Sequence, residues 1–107
     1  MPVQLTIITP DSKVFEAEVD SVVIPGSAGS FGVLPRHAPM LSGVSRGILK
    51  VTVDAEPKYF IVNDGVVEIG ADKVVVMVDR VIAATDVQDA SDKLDELRVS
   101  LSAEPRA

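Results

Sequence analysis

The chain has no cysteine and no tryptophan, one histidine (His37) and one tyrosine (Tyr59). Without cysteine there is no disulfide, no thiolate nucleophile and no Cys-ligated metal. A lone histidine cannot supply a His/Cys metal site, and no Asp/Glu cluster has ligand spacing. Aromatic residues are only 4% of the 107, so the core has to come from Val, Ile and Leu. Positive charge is also scarce. The formal net charge of −6 argues against nucleic acid as a partner, because phosphate binding needs a Lys/Arg surface, and it disfavours anionic lipid. The longest apolar runs, such as VVVMV at 74–78, are far too short to span a bilayer. The start, MPVQLTIITPDS, has neither the basic region nor the apolar run of a signal peptide. These absences lead us to expect a soluble protein of a reducing compartment, or one whose location is set by its partners.

What is present reads as a globular domain, 47% hydrophobic and 24% charged. Short β-branched runs recur through residue 84: VQLTIIT (3–9), VFEAEV (14–19), SVVI (21–24), GILKVTV (47–53), YFIVN (59–63), VVEI (66–69) and VVVMV (74–78). Turn signals (TPDSK, PGSAG, DAEPK, NDG and GADK) separate them. Short, evenly spaced strands with such turns predict a sandwich or barrel. Alternation at Val3, Leu5, Ile7 and at Phe15, Ala17, Val19 gives each strand a buried face. VVVMV is apolar throughout and predicts a strand covered on both sides.

From Thr85 the period changes. Val87, Ala90, Leu94, Leu97 and Leu101 are spaced 3, 4, 3 and 4 apart, the apolar stripe of an amphipathic helix. Thr85 or Asp86 can cap its start, Asp89 adds negative charge to the first turn, and Pro105 ends it. The stripe must cover something, either the sandwich or a partner. The expected organisation is therefore a β domain at 1–84 and a short helix with a tail at 85–107.

Two segments invite a chemical reading. In FGVLPRHAPML (31–41), His37 stands between Pro35 and Pro39. A general base would need a nucleophile and an orienting group; Ser42 and Ser45 are near in sequence, but no nucleophile elbow surrounds them. Two prolines within five residues fix φ twice, so the segment reads as a rigid, non-repetitive connection. GSAGSFG (26–32) follows a strand, as a phosphate loop would. It lacks the G-x-G-x-x-G and G-K-[ST] patterns and runs into prolines, with no helix to supply an anion site. Its glycines read as turn glycines. Residues alone thus leave two classes open: a subunit or adaptor of a larger assembly, and a free-standing ligand-binding β-module. The scarcity of Tyr and Trp lowers the second.

PGSAGSFGVLPRHAPML (25–41) resembles the signature of the epsilon subunit of F-type ATP synthases, called delta in mitochondria. Gly26, Gly29, Gly32, Val33, Pro35, His37, Ala38, Pro39 and Leu41 are in register, while Met40 and Arg36 depart from the usual Leu and Gly. ITPDSKVFEAEVDSVVIPG and YFIVNDGVVEIGADKVVVMVDRVI are similar to the family as well, so the likeness runs from about residue 3 to 91. The resemblance implies a flattened antiparallel β-sandwich followed by helix, at the foot of the rotating central stalk. It implies a non-catalytic subunit without a cofactor or metal. The partners would be the gamma subunit, the c-ring and, transiently, the catalytic head, with no membrane insertion. The place would be peripheral, on the cytoplasmic face of a bacterial plasma membrane. Carried over position by position, Thr9, His37 and Ser42 would face gamma, and Ser27, Ala28, Gly29, Ser30 and Phe31 would form the loop near the c-ring. Ser30 stands where many relatives have an acidic residue. Two features depart from the family's full form. It ends in two helices, where this sequence has room for one. Some relatives bind ATP through Ile/Leu-Asp-x-x-Arg-Ala, where this sequence has Val87, Gln88, Asp89, Ala90, Ser91 and Asp92. Little or no inhibitory helix function and no ATP binding are therefore expected. An unrelated β-sandwich binding or adaptor module is the alternative.

Overall fold

The computed structural model describes residues 3–26, 29–33 and 39–103, with side-chain burial through residue 97. Ten strands are followed by one helix among these residues. They are β1 (Val3–Ile8), β2 (Lys13–Val19), β3 (Ser21–Gly26), β4 (Gly29–Val33), β5 (Met40–Val44), β6 (Gly47–Val53), β7 (Glu56–Val62), β8 (Gly65–Ile69), β9 (Lys73–Val78), β10 (Val81–Ala84) and α1 (Val87–Ala103). The hydrogen-bonded path β10-β7-β6-β3-β5-β8-β9-β1-β2, with β4 on the other edge of β3, folds back on itself as a sandwich. One layer is β4-β3-β6-β7-β10 and the other β5-β8-β9-β1-β2. Between β3 and β5 only Gly26 and Val44 are paired, so this pair is the seam. All pairings are antiparallel except β1 with β9, which is parallel.

The chain crosses between layers at Ser45 and Arg46, and the corner is pinned. The Ser45 amide donates to the Pro25 carbonyl at 2.7 Å, the Arg46 amide to Asp64 Oδ1 at 2.9 Å, and Arg46 Nε to Asn63 Oδ1 at 3.2 Å. Gly47 follows because a Cβ there would lie 2.8 Å from Pro25 Cβ. The β6–β7 hairpin turns on Asp54 and Ala55, both at positive φ (51° and 66°). This is the backbone of a tight hairpin whose twist matches its strands. Asp20 Oδ2 accepts the Ala55 amide at 3.1 Å.

The core between the layers is aliphatic. Val22, Ile24, Leu49, Val51 and Val62 from one layer meet Leu5, Ile7, Val67, Ile69, Val74 and Val76 from the other, all at 2% exposure or less. Each such side chain contributes about 1.5–3 kcal/mol on burial. The few aromatics close the space: the Phe15 and Phe60 rings meet edge-on across the layers, 5.3 Å between centroids.

A second cluster lies on the outer side of the first layer. Register aligns Ile48, Ile61 and Ile82 across β6, β7 and β10. The helix lays Ala90 and Leu97, both buried, and half-buried Leu94 over them, with Tyr59 and Ala84 alongside. The helix stripe thus covers the sandwich itself. Asp86 caps α1, its Oδ1 accepting the Asp89 amide at 2.8 Å. Asp89 Oδ2 accepts the Thr85 amide at 2.9 Å and the Thr85 hydroxyl at 3.2 Å. Lys93 Nζ lies 3.1 Å from Asp89 Oδ2 and donates to the Ala83 carbonyl at 2.9 Å. Together these bonds latch the first turns of α1 to the end of the edge strand. The Thr85 amide bond, with help from Lys93, holds the Asp89 carboxyl below its usual range.

Three sequence readings need correction. Val87, placed in the apolar stripe, is 61% exposed. It is the first residue of α1, where the chain has just left β10, and the buried row begins a turn later at Ala90. VVVMV is not equally covered on both sides: Val74, Val76 and Val78 are buried, whereas Val75 and Met77 are half-buried. Strands β4, β5 and β10 add to the seven runs read from the sequence. The side chain of Leu101, the stop at Pro105, and the segment around His37 lie outside the described residues.

Candidate functional site

The second layer also has an outer side, and nothing in the chain covers it among the described residues. Register places Leu41, Glu68, Val75 and Thr6 in one row and Gly43, Val66, Met77 and Ile8 in the next, across β5, β8, β9 and β1. Strand alternation produces this face: each member is one residue away from a core residue such as Val67, Ile69, Val74, Val76 or Ile7. Leu41 is 70% exposed and Val66 42%; Val75, Met77 and Ile8 are half-buried. Exposed apolar side chains grouped on one sheet face make it the candidate interaction surface of the chain. Glu68 interrupts the first row between Leu41 and Val75, and Lys73 and the Lys13–Glu16 ion pair at 3.2 Å lie on the neighbouring surface. Thr6, buried in the same face, donates to Glu16 Oε2 at 3.4 Å.

Gly65 starts β8 because its backbone runs tightly against β9. A side chain there would strike the Met77 carbonyl oxygen and Val78. Beside it, at the end of the apolar face, lies an open cleft of about 280 Å³ lined by Ile8, Thr9, Pro10, Asp64, Gly65, Met77, Val78 and Asp79.

The residues carried over from the resemblance fall as follows. Thr9 closes the β1–β2 turn, its amide donating to the Ser12 carbonyl at 2.9 Å and its hydroxyl to the same oxygen at 3.3 Å, and it lines the cleft. Ser42 is on β5, in the same layer. Register puts it level with buried Val67 and Val76, and its half-buried hydroxyl donates to the Gly43 carbonyl at 3.3 Å. Leu41, not Ser42, therefore carries the outward side of β5. Gly29 (φ 124°) and Ser30 are exposed at the start of β4. Phe31 is half-buried against the core, its ring over Gly26, where an added Cβ would come within 2.7 Å of it. His37, Ser27 and Ala28 lie outside the described residues. Sequence reasoning missed Val66, Met77 and Ile8. The signal was there: an apolar residue at the outward position of several adjacent strands.

No group of three or more His, Cys, Asp or Glu side chains could hold a metal ion among the described residues. Among the same residues, no helix is long and apolar enough to cross a membrane.

The fold is a β-sandwich with one outer face closed by its own helix and the other open among the described residues. Residues 2–84 match the model of the ATP synthase delta/epsilon chain β-sandwich domain, and the chain belongs to that family. It is 38% identical over 90 residues to the ATP synthase epsilon chain of Acidithiobacillus ferridurans, an alignment covering 84% of this chain and 64% of that one. It is 31% identical over 103 residues to the epsilon chain of Rippkaea orientalis, covering 94% and 76%. This chain thus spans just under two thirds of the length of the first relative. Among solved structures, the fold is similar to a chain of the Euglena gracilis mitochondrial ATP synthase, in its OSCP/F1/c-ring assembly. The TM-score is 0.74 at 20% identity, covering 98% of this chain and 68% of that one. It is also similar to a chain of the Tetrahymena thermophila mitochondrial ATP synthase central stalk and c-ring. That TM-score is 0.65 at 13% identity, with 95% and 92% covered.

Proposed function

We propose that this chain is the epsilon subunit of a rotary F-type ATP synthase. In this reading it docks on the gamma shaft through the open face of its second layer and turns with the shaft and c-ring. It does no bond chemistry. Its part is to complete the joint through which ion flow drives the shaft, from a peripheral position on the cytoplasmic face of a bacterial membrane. The observation that carries the reading is the unequal treatment of the two outer faces. The α1 face is already occupied, whereas Leu41, Val66 and Met77 stand open on a rigid sheet that needs little ordering on association. The family match and the central-stalk and c-ring setting of the Tetrahymena thermophila neighbour support it. Thr9 lines the cleft at the end of this face, and the resemblance assigns Thr9 and His37 alike to the gamma-facing side. The exposed start of β4, at Gly29 and Ser30, is the side offered to the c-ring. The helix is engaged with β6, β7 and β10, which supports a minor inhibitory role or none.

Calorimetry with the gamma subunit of the same complex tests the proposal. Wild-type chain should bind with submicromolar affinity. Leu41→Asp and Val66→Asp should each lower the affinity at least tenfold, because an unpaired carboxylate would be desolvated in the interface, while circular dichroism stays unchanged. Unaltered binding by both variants would reject this face.

A further inference from the structure

The two outer faces of the sandwich carry the same pattern. On the closed face, the adjacent strands β6, β7 and β10 place Ile48, Ile61 and Ile82 in one row and Lys50, Tyr59 and Ala84 in the next. On the open face, the adjacent strands β8, β9 and β1 place Val66, Met77 and Ile8 in one row and Glu68, Val75 and Thr6 in the next. The match holds strand by strand. One row is apolar throughout; the other has a charged residue, a bulky one and a small one in that order. Lys50 and Glu68 are both exposed, and Tyr59 and Val75 are both half-buried.

The closed face shows what fits such a surface. There α1 touches all three strands and sets Ala90, Leu94 and Leu97, at i, i+4 and i+7, against the isoleucine row. Two other kinds of cover fit the open face less well. β8, β9 and β1 are each paired on both edges, so an extended segment of a partner cannot join them as a further strand. A second sheet stacked face to face would bury both rows, Glu68 included, and an unpaired buried carboxylate is costly. A helix brings a narrow apolar stripe and needs no backbone group from its receiver. Seated on the apolar row, it leaves Glu68 at its margin, as α1 leaves Lys50 exposed. We infer that the open face receives one amphipathic helix of gamma, which lays apolar residues at i, i+4 and i+7 over Val66, Met77 and Ile8. The inference rests on the docking proposed above and adds the kind of segment the partner must present.

Photo-cross-linking of the full-length chain to gamma tests this. The chain has no cysteine, so Leu41→Cys, Val66→Cys and Met77→Cys each take a benzophenone maleimide at one position before gamma is added. Mass spectrometry then reads the attached gamma residues. The labels should attach to a single gamma segment, at residues three, four or seven apart. Proline at the centre of that segment should weaken binding of the wild-type chain about tenfold or more, by breaking the helix. Amide exchange of gamma with the unlabelled wild-type chain gives a second reading that no label can disturb: protection on binding should centre on one helix. Attachments two residues apart or scattered over separate loops, or protection confined to gamma strands and loops, would overturn the helix and leave the docking face standing. Gamma bound normally, with no attachment from any of the three positions, would remove the docking proposal as well.

Discussion

The two outer faces of the sandwich were built by the same rule and met different ends. Both are rows of apolar residues at the outward positions of adjacent strands. On the first layer, Ile48, Ile61 and Ile82 make an unbroken β-branched row, and α1 closes it with Ala90, Leu94 and Leu97. On the second, the rows are interrupted: Glu68 stands between Leu41 and Val75, and Gly43 precedes Val66 and Met77. The first is a small core of its own. The second mixes apolar and polar residues and stays open to solvent among the described residues. The difference teaches that burial of a sheet face is settled by what the rest of the chain can reach, not by the strand pattern alone.

The sharpest way to break this comparison is to truncate one side chain on each face. Ile61→Ala should cost about 2–5 kcal/mol in urea unfolding, as expected for a large aliphatic side chain removed from a closed site. Val66→Ala should cost under about 1 kcal/mol, because half of that side chain already meets water. Equal losses would mean that the second face is also structural and the distinction drawn here is wrong. A somewhat smaller effect is expected from Leu97→Ala, about 2–3 kcal/mol, capped by the free energy of helix docking. Amide exchange should speed up in α1 and in β10 while the rates in β8 and β9 hold. Uniform acceleration through every strand would show that helix and sandwich unfold as one unit.

Much of this was legible beforehand. The seven β-branched runs and the 3,4 spacing after Thr85 led to the mainly β fold with one helix, because both periods are set by backbone geometry. What stayed hidden was hidden for physical reasons. Gly29–Val33 reads as turn residues and becomes β4 only because β3 offers a free edge. Met40–Val44 follows two prolines, and its pairing with β8 is a contact across more than twenty residues. Val81–Ala84 is four residues long and is held by β7. In the proposed docking site, Thr9 and Ser42 could be transferred by resemblance, while the register puts Ser42 level with core residues Val67 and Val76. Leu41 was visible in the motif without its outward orientation, which only the β5–β8 register reveals. The cleft at the end of the face joins residues from separate strands and turns that no local pattern links.

The smallest expected effect concerns the latch of the closed face. The Asp89 carboxyl is held below its ordinary value by the Thr85 amide and by Lys93. A lowered folded-state pKa means that its contribution is complete above the ordinary carboxylate value of about 4 and is lost as pH falls below it. Thermal unfolding followed from pH 6 to pH 3 should show wild type above Asp89→Asn at pH 6, with the gap closing towards pH 3. A gap that widens on acidification would contradict the assigned cause.

The central claim is that the open face, and not the helix face, receives the shaft. Hydroxyl-radical footprinting of the free chain and of its complex with gamma tests it directly, because Met77, Met40 and Leu41 are reactive reporters on or beside the open face. Strong protection of Met77 and Leu41, with Tyr59 and Leu94 unchanged, is the predicted result. Protection confined to Tyr59, Leu94 and their neighbours, with Met77 still oxidised at the free-chain rate, would contradict it.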